Sequence, residues 1–122
     1  MEAFVKQLTP QYMNDAGIER EVFLELYQEG KCEFVDIRMD FEREVWELKF
    51  GLKIPLNELA SRQEELPKEK KIVLGCPTGP RSIVGWTYLK SQGYDVFFLK
   101  GGLDGLIATL KGGRAKDFLG HL

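Results

Sequence analysis

Short apolar, β-prone runs alternate along this chain with longer segments of helical period, and no other feature constrains its fold as much. The clearest run is Lys71-Ile72-Val73-Leu74, followed by the breaker-rich loop Gly75–Arg81. A helix from Ser82 to about Ser91 comes next, with Ile83, Val84, Trp86, Tyr88 and Leu89 supplying apolar contacts and Gly93 closing it. Asp95–Leu99 reads as a last buried strand, and Gly101-Gly102 turns the chain into a helix from Leu103 to about Leu110.

The first half repeats the alternation less sharply. Phe4–Leu8 reads as an edge strand. Thr9 then caps a brief helix that has Pro10 at its first position and ends near Asp15. Ile18, Val22, Phe23, Leu26 and Tyr27 predict an amphipathic helix over 18–29, closed by Gly30. Phe34-Val35-Asp36-Ile37 reads as a buried strand, and Phe41–Phe50 as a helix burying Phe41, Val45, Trp46 and Leu48. A minimal strand at Lys53–Leu56 is ended by Pro55, and Asn57 caps a helix with Leu59 and Leu66 inward. Helices alternating with short apolar strands predict an α/β domain with a parallel sheet.

Composition narrows the function classes. Seventeen Lys+Arg against 19 Asp+Glu give a formal charge of −2, without the basic excess of a non-specific nucleic-acid or acidic-membrane binder. No apolar run approaches the ~18 residues of a membrane span, and Met1–Lys6 lacks the layout of a secretory signal. Two cysteines make no disulfide framework, and with one histidine they make no zinc site. The expectation is one soluble, cytosolic domain over residues 1–122, with its core at about 4–110 and a loosely attached tail at 111–122.

The chemistry concentrates at Cys76. Parallel sheets gather ligands at the carboxyl ends of their strands, and Cys76 lies just past Leu74, with a helix starting six residues on. Amide groups in a tight turn and at a helix N-terminus favour an anion such as a thiolate, and Arg81 adds a permanent positive charge. The alternative is a small core cysteine. Pro77 and Pro80 bring no N–H, so only Cys76, Thr78, Gly79, Arg81 and Ser82 can offer amides. Gly79 precedes Pro80, a restricted position that glycine escapes best.

Cys76-x-x-Gly79-x-Arg81-Ser82 resembles the active loop of the rhodanese family of single-domain sulfurtransferases. Phe34-Val35-Asp36-Ile37-Arg38 is similar to the family's hydrophobic-Asp-hydrophobic-Arg strand end, Ile54-Pro55-Leu56 to its apolar-Pro-apolar segment, and Lys100-Gly101-Gly102 to its double glycine. The resemblance spans roughly residues 4–110. It implies a rhodanese-like fold, with a central five-stranded parallel sheet flanked by helices and the cysteine at the bottom of a shallow pocket. Four residues separate Cys76 from Arg81, whereas cysteine phosphatases and related arsenate reductases place five there, and the tighter nest suits a sulfur atom.

The implied activity is two-step sulfur transfer through a Cys76 persulfide, without metal or organic cofactor. The donor is thiosulfate, polysulfide or a protein persulfide, and the acceptor is a thiol or cyanide. Arg81 would orient the donor's anionic end, Pro77, Thr78, Gly79, Pro80 and Ser82 would form the cradle, and Asp36 and Arg38 would brace the pocket floor. A surface ion pair is the plainer reading of Asp36 and Arg38. The alternative class is a non-catalytic rhodanese-like module used for recognition. Departures from the family pattern mark a divergent member. Glu47–Gly51 has no His-Ile-x-Gly-Ala counterpart, Gly75 stands where many relatives have an aromatic residue, and Leu106 where many have tryptophan.

Other residues carry plainer expectations. Cys32 opens the strand that ends near Asp36, at the opposite end of the sheet from Cys76 and out of disulfide reach. It reads as a structural thiol, with a relay thiol as the alternative. Ser82 reads as a helix cap facing the loop, Trp46 and Trp86 as core, and His121 as a solvated tail residue. Lys100 either faces the pocket mouth or is simply solvated.

Overall fold

The computed structural model describes residues 1–122. In chain order the elements are α1 (Glu2–Val5), α2 (Pro10–Ala16), β1 (Gly17–Ile18), α3 (Arg20–Gln28), β2 (Cys32–Asp36), α4 (Asp40–Val45), β3 (Leu52–Lys53), β4 (Lys71–Gly75), α5 (Pro80–Ser91), β5 (Val96–Leu99), α6 (Gly102–Thr109) and α7 (Gly112–Gly120). Two short 3₁₀ turns, Leu56–Glu58 and Gln63–Glu65, join β3 to β4. The five strands are all parallel, in the order β1-β5-β4-β2-β3.

Both faces of the sheet are covered, so its strands are apolar on both sides. Ile72, Leu74 and Cys76 of the β4 segment point into one core with Val35, Ile54, Leu59, Trp86 and Leu89. Val73 points into the other, with Phe23, Phe34, Leu99, Leu103, Leu106 and Phe118. The chain leaves β2 toward β3 but leaves β4 toward β5 on the other side. The crevice beyond the carboxyl ends of β2 and β4 is therefore the switch point of the sheet, where ligands of open α/β folds collect. Asp36 and Gly75 pair in register there, one residue before Cys76.

Several expectations are corrected. Residues 2–5 form a helix and not an edge strand, because Phe4 packs on Trp86 with ring centroids 5.9 Å apart. Gly17–Ile18 takes the edge beside β5 instead, so α3 begins only at Arg20. The helix expected over 41–50 stops at Val45, and Phe41, Val45 and Trp46 are exposed, leaving Leu48 as the one buried member of that set. The helix expected after Asn57 is replaced by the two 3₁₀ turns, although Leu59 and Leu66 do point inward.

Residues 111–122 are no loose tail. Gly112–Gly120 is helical, Phe118 is buried with its ring 5.1 Å from that of Phe50, and Arg114 pairs with Glu21. Thr9 caps α2 as expected, accepting the Tyr12 N–H at 3.2 Å. No helix is long and apolar enough to cross a membrane.

Candidate active site

Cys76 follows β4 directly and is 1% exposed. Its Sγ accepts the Gly79 N–H at 3.1 Å, closing the loop back on the sulfur. Gly79 adopts φ +128°, a backbone conformation that glycine alone takes comfortably, and this lets Pro80 start α5. Gly79 is thus the N-cap and Pro80 the first helical residue, which puts the cap three positions before the one expected at Ser82. Ser82 lies inside the first turn, fully buried, and its hydroxyl has no hydrogen-bond partner.

The other side of the loop is held by α6. Leu103 N–H donates to the Cys76 carbonyl at 2.8 Å, and Asp104 N–H to that of Pro77 at 3.1 Å. These are amides that a helix start leaves without intrahelical partners. The contact requires Gly102: at φ +62°, a Cβ there would lie 2.5 Å from each carbonyl oxygen. The second glycine of the pair therefore has a steric cause, which the one-dimensional pattern does not reveal. Gly75 has a similar one, since a Cβ there would meet Phe34 Cζ at 2.4 Å. The Phe34 ring fills the space that a side chain at position 75 would need.

Arg81 does not stand free. Its Nη1 and Nη2 donate to the Glu42 carboxylate at 2.6 and 2.9 Å. Glu42 also accepts the Met39 N–H at 3.0 Å, the returning half of a capping box. The Arg81 hydrogen bonds hold the Glu42 carboxyl down at about 2. Glu42 in turn raises Arg81, with negative charge at Cys76 and Asp36 adding to the effect. Sequence reading missed Glu42. The available signal was an acid three residues after a strand-end turn, in the first turn of a helix.

Asp36 and Arg38 form a buried ion pair and not a surface one, at 0% and 1% exposure. Arg38 Nη2 and Nε donate to Asp36 at 2.8 and 3.1 Å, and the guanidinium stacks 3.8 Å over Trp46. Trp46 is 37% exposed, contrary to its expected core position, while Trp86 is buried as expected. The pair sits one strand over from the cysteine, at the end of β2.

An open depression of about 350 Å³ lies over the loop, lined by Thr78, Gly79, Pro80, Ile83, Lys100 and Gly101 among others. Lys100 does face this mouth, and its amine is tied to Asn14 and Glu19 at 3.2 and 3.4 Å. Cys32 is a free, buried thiol at the far end of β2, paired in register with Lys71, and burial pushes it up to about 11. His121 is exposed, its ring Nδ1 2.7 Å from the Asp117 carbonyl oxygen.

The family model for the rhodanese-like domain matches residues 19–109, from just after β1 through α6. The chain belongs to the rhodanese-like domain family. A sulfurtransferase of Allochromatium vinosum is 36% identical to this rhodanese-like domain over 70 residues, 57% of this chain and 65% of that protein. A tRNA uridine(34) hydroxylase of Hamiltonella defensa is 30% identical over 120 residues, 90% of this chain and 32% of that protein. This chain thus spans less than two thirds of either relative.

Among solved structures, a rhodanese-related protein of Thermoplasma volcanium is 25% identical with a TM-score of 0.65, covering 75% of this chain and 90% of that one. A protein from Lactobacillus plantarum is also 25% identical, with a TM-score of 0.72, covering 88% and 94%. Its five-stranded parallel sheet places this domain with these neighbours.

Proposed function

We propose that this rhodanese-like domain is a cytosolic sulfurtransferase that carries a sulfane sulfur on Cys76, with residues 1–122 acting as one unit. The observation that carries the reading is the Gly79 N–H aimed at Cys76 Sγ, 3.1 Å away at the switch point of a parallel sheet. A core cysteine has no need of such a donor. The 36% identical sulfurtransferase supports the same reading.

In the first step the Cys76 thiolate attacks the outer sulfur of a donor (thiosulfate, polysulfide or a protein persulfide). The donor's S–S bond breaks, the remainder leaves with the bonding pair (sulfite in the case of thiosulfate), and Cys76 becomes a persulfide. In the second step a thiol or cyanide acceptor attacks the terminal sulfur. The Cys76 S–S bond breaks and the thiolate returns. No net oxidation occurs, and the cycle calls on neither metal nor organic cofactor.

Gly79 supplies a donor to the negative sulfur. The Ser82 side chain, tilted toward the N-terminus of α5 as helical side chains are, supplies its unpartnered hydroxyl to the loop interior. Arg81 orients the donor's anionic end and stabilises the loop, while Pro77, Thr78 and Pro80 set the cradle's shape. The Asp36–Arg38 pair braces the floor.

Intact-protein mass spectrometry without reductant tests the reading. Incubation with thiosulfate and, separately, polysulfide should add one sulfur to the wild type and none to Cys76→Ser, and cyanide should remove it. If neither small donor nor a protein persulfide loads the wild type, the transferase reading fails and a recognition module takes its place.

A further inference from the structure

The helix that carries Glu42 to the Cys76 loop turns its apolar side chains outward. Phe41 is 67% and Val45 83% exposed, one turn apart on α4, and Trp46 follows at 37%. Val45 is also three residues from Glu42, so this stripe borders the Glu42–Arg81 pair. Exposed apolar side chains on an element that reaches a candidate site, with an aromatic among them, are what protein interfaces use.

Charge decides what the stripe fits. Asp40, Glu44 and Glu47 surround it, and the cation among them, Arg43, is shared between Asp40 and Glu47 at 2.5 and 3.3 Å. Glu44 is exposed and in no ion pair. The rim is therefore acidic and complements a basic partner. The two cations on the loop and lining its depression, Arg81 and Lys100, are already bound to carboxylates, which weakens their pull on a small dianion. Cys76 is 1% exposed, so a donor has to reach it through the loop.

We propose that the α4 face docks a protein sulfur donor, through a segment that carries a persulfidated cysteine flanked by apolar and basic residues. This rests on the sulfur-transfer reading above. The donor's persulfide, R–S–SH, meets the Cys76 thiolate. The new bond forms to the outer sulfur and the donor's S–S bond breaks. R–S⁻ departs with the electron pair, and Cys76 keeps the transferred sulfur with its proton.

Two synthetic peptides test it, one with a central cysteine among Leu and Lys, the other among Ser and Glu. Fluorescence anisotropy of versions with serine in place of cysteine reads docking alone. Intact-mass kinetics of the persulfidated versions reads transfer to Cys76. The basic peptide should bind and transfer at least about tenfold better than the acidic one, with the advantage shrinking as salt rises. The neutral pair Phe41→Gln/Val45→Gln should remove most of the binding. Glu44→Lys, at an exposed position, should reduce the preference severalfold. Loading by polysulfide should stay at the wild-type level in both variants, which also shows that they are folded.

Equal binding of the two peptides to the wild type, or variants that keep the full preference, would overturn the docking face. Selective binding that the variants abolish supports it even if no sulfur moves. Failure of Cys76 to load from any donor would instead overturn the transfer reading.

Discussion

Glu42 and Arg81, 39 positions apart in the chain, meet across the site through two hydrogen bonds of 2.6 and 2.9 Å. The contact joins the first turn of α4 to the first turn of α5. The residue that ends the Cys76 loop is thereby fixed from outside the loop.

Replacing Glu42 with Gln should release Arg81 and lower stability in a pH-dependent way. The Glu42 carboxyl is held at about 2, below its ordinary 4.5, so its contribution is fully present above about 4.5 and disappears as pH falls through about 2. With side chains 25% and 38% exposed, screening limits that contribution to about 1 kcal/mol. Urea unfolding should separate wild type and Glu42→Gln by about that amount at pH 7, with the gap closing toward pH 2.

Arg38→Ala should be far more damaging. It leaves Asp36 buried at 0% exposure with its charge uncompensated, a change that costs about 3–5 kcal/mol. Arg38→Lys should recover only part, because a single ammonium cannot reproduce the two-pronged contact or the stacking on Trp46. Thermal unfolding of the two variants checks both statements. Equal stability of Arg38→Lys and wild type would contradict the second.

Gly102→Ala should lose sulfur loading while keeping its fold. The added methyl cannot coexist with the Cys76 and Pro77 carbonyls, and φ +62° is unfavourable for alanine. The loop should move away from α6 and the Gly79 N–H lose its aim. Circular dichroism close to wild type together with at least about a tenfold loss in persulfide formation, roughly 1.4 kcal/mol, is the expected pair of results.

Ser82→Ala separates stability from activity. Removing a buried hydroxyl that has no partner should leave stability unchanged or raise it slightly. Sulfur loading should slow by about a hundredfold if the hydroxyl serves the reacting sulfur, the lower end of the general scale for one lost donor. Unchanged loading kinetics would reduce Ser82 to packing.

Much of this was legible in the sequence wherever local chemistry and tertiary packing agree. The β4–loop–α5 unit carries its own signals: a run of Ile72, Val73 and Leu74, a loop of breakers, then a helical pattern, read from Ser82 although the helix begins at Pro80. The helix over 41–50 failed for a physical reason. Phe41 and Val45 have helical spacing, but spacing does not say which way the stripe faces, and here it faces outward. β1 is two residues long and exists only through pairing with β5, so no local pattern announces it.

Glu42 and the steric role of Gly102 were hidden because their partners are distant in sequence, Arg81 in one case and the Cys76 and Pro77 carbonyls in the other. α7 reads as a tail because the glycines and lysines of 111–120 outweigh the single anchoring ring of Phe118.

The two amides of Leu103 and Asp104 that hold the Cys76 and Pro77 carbonyls set a lower bound on what could be transplanted. Residues 75–82 grafted onto another parallel sheet would carry the thiol and the arginine but leave those carbonyls unclasped. The smallest portable module runs from β4 through α5 and β5 into the first turn of α6. A host scaffold would have to accept that whole crossover, glycine pair included, to inherit the chemistry.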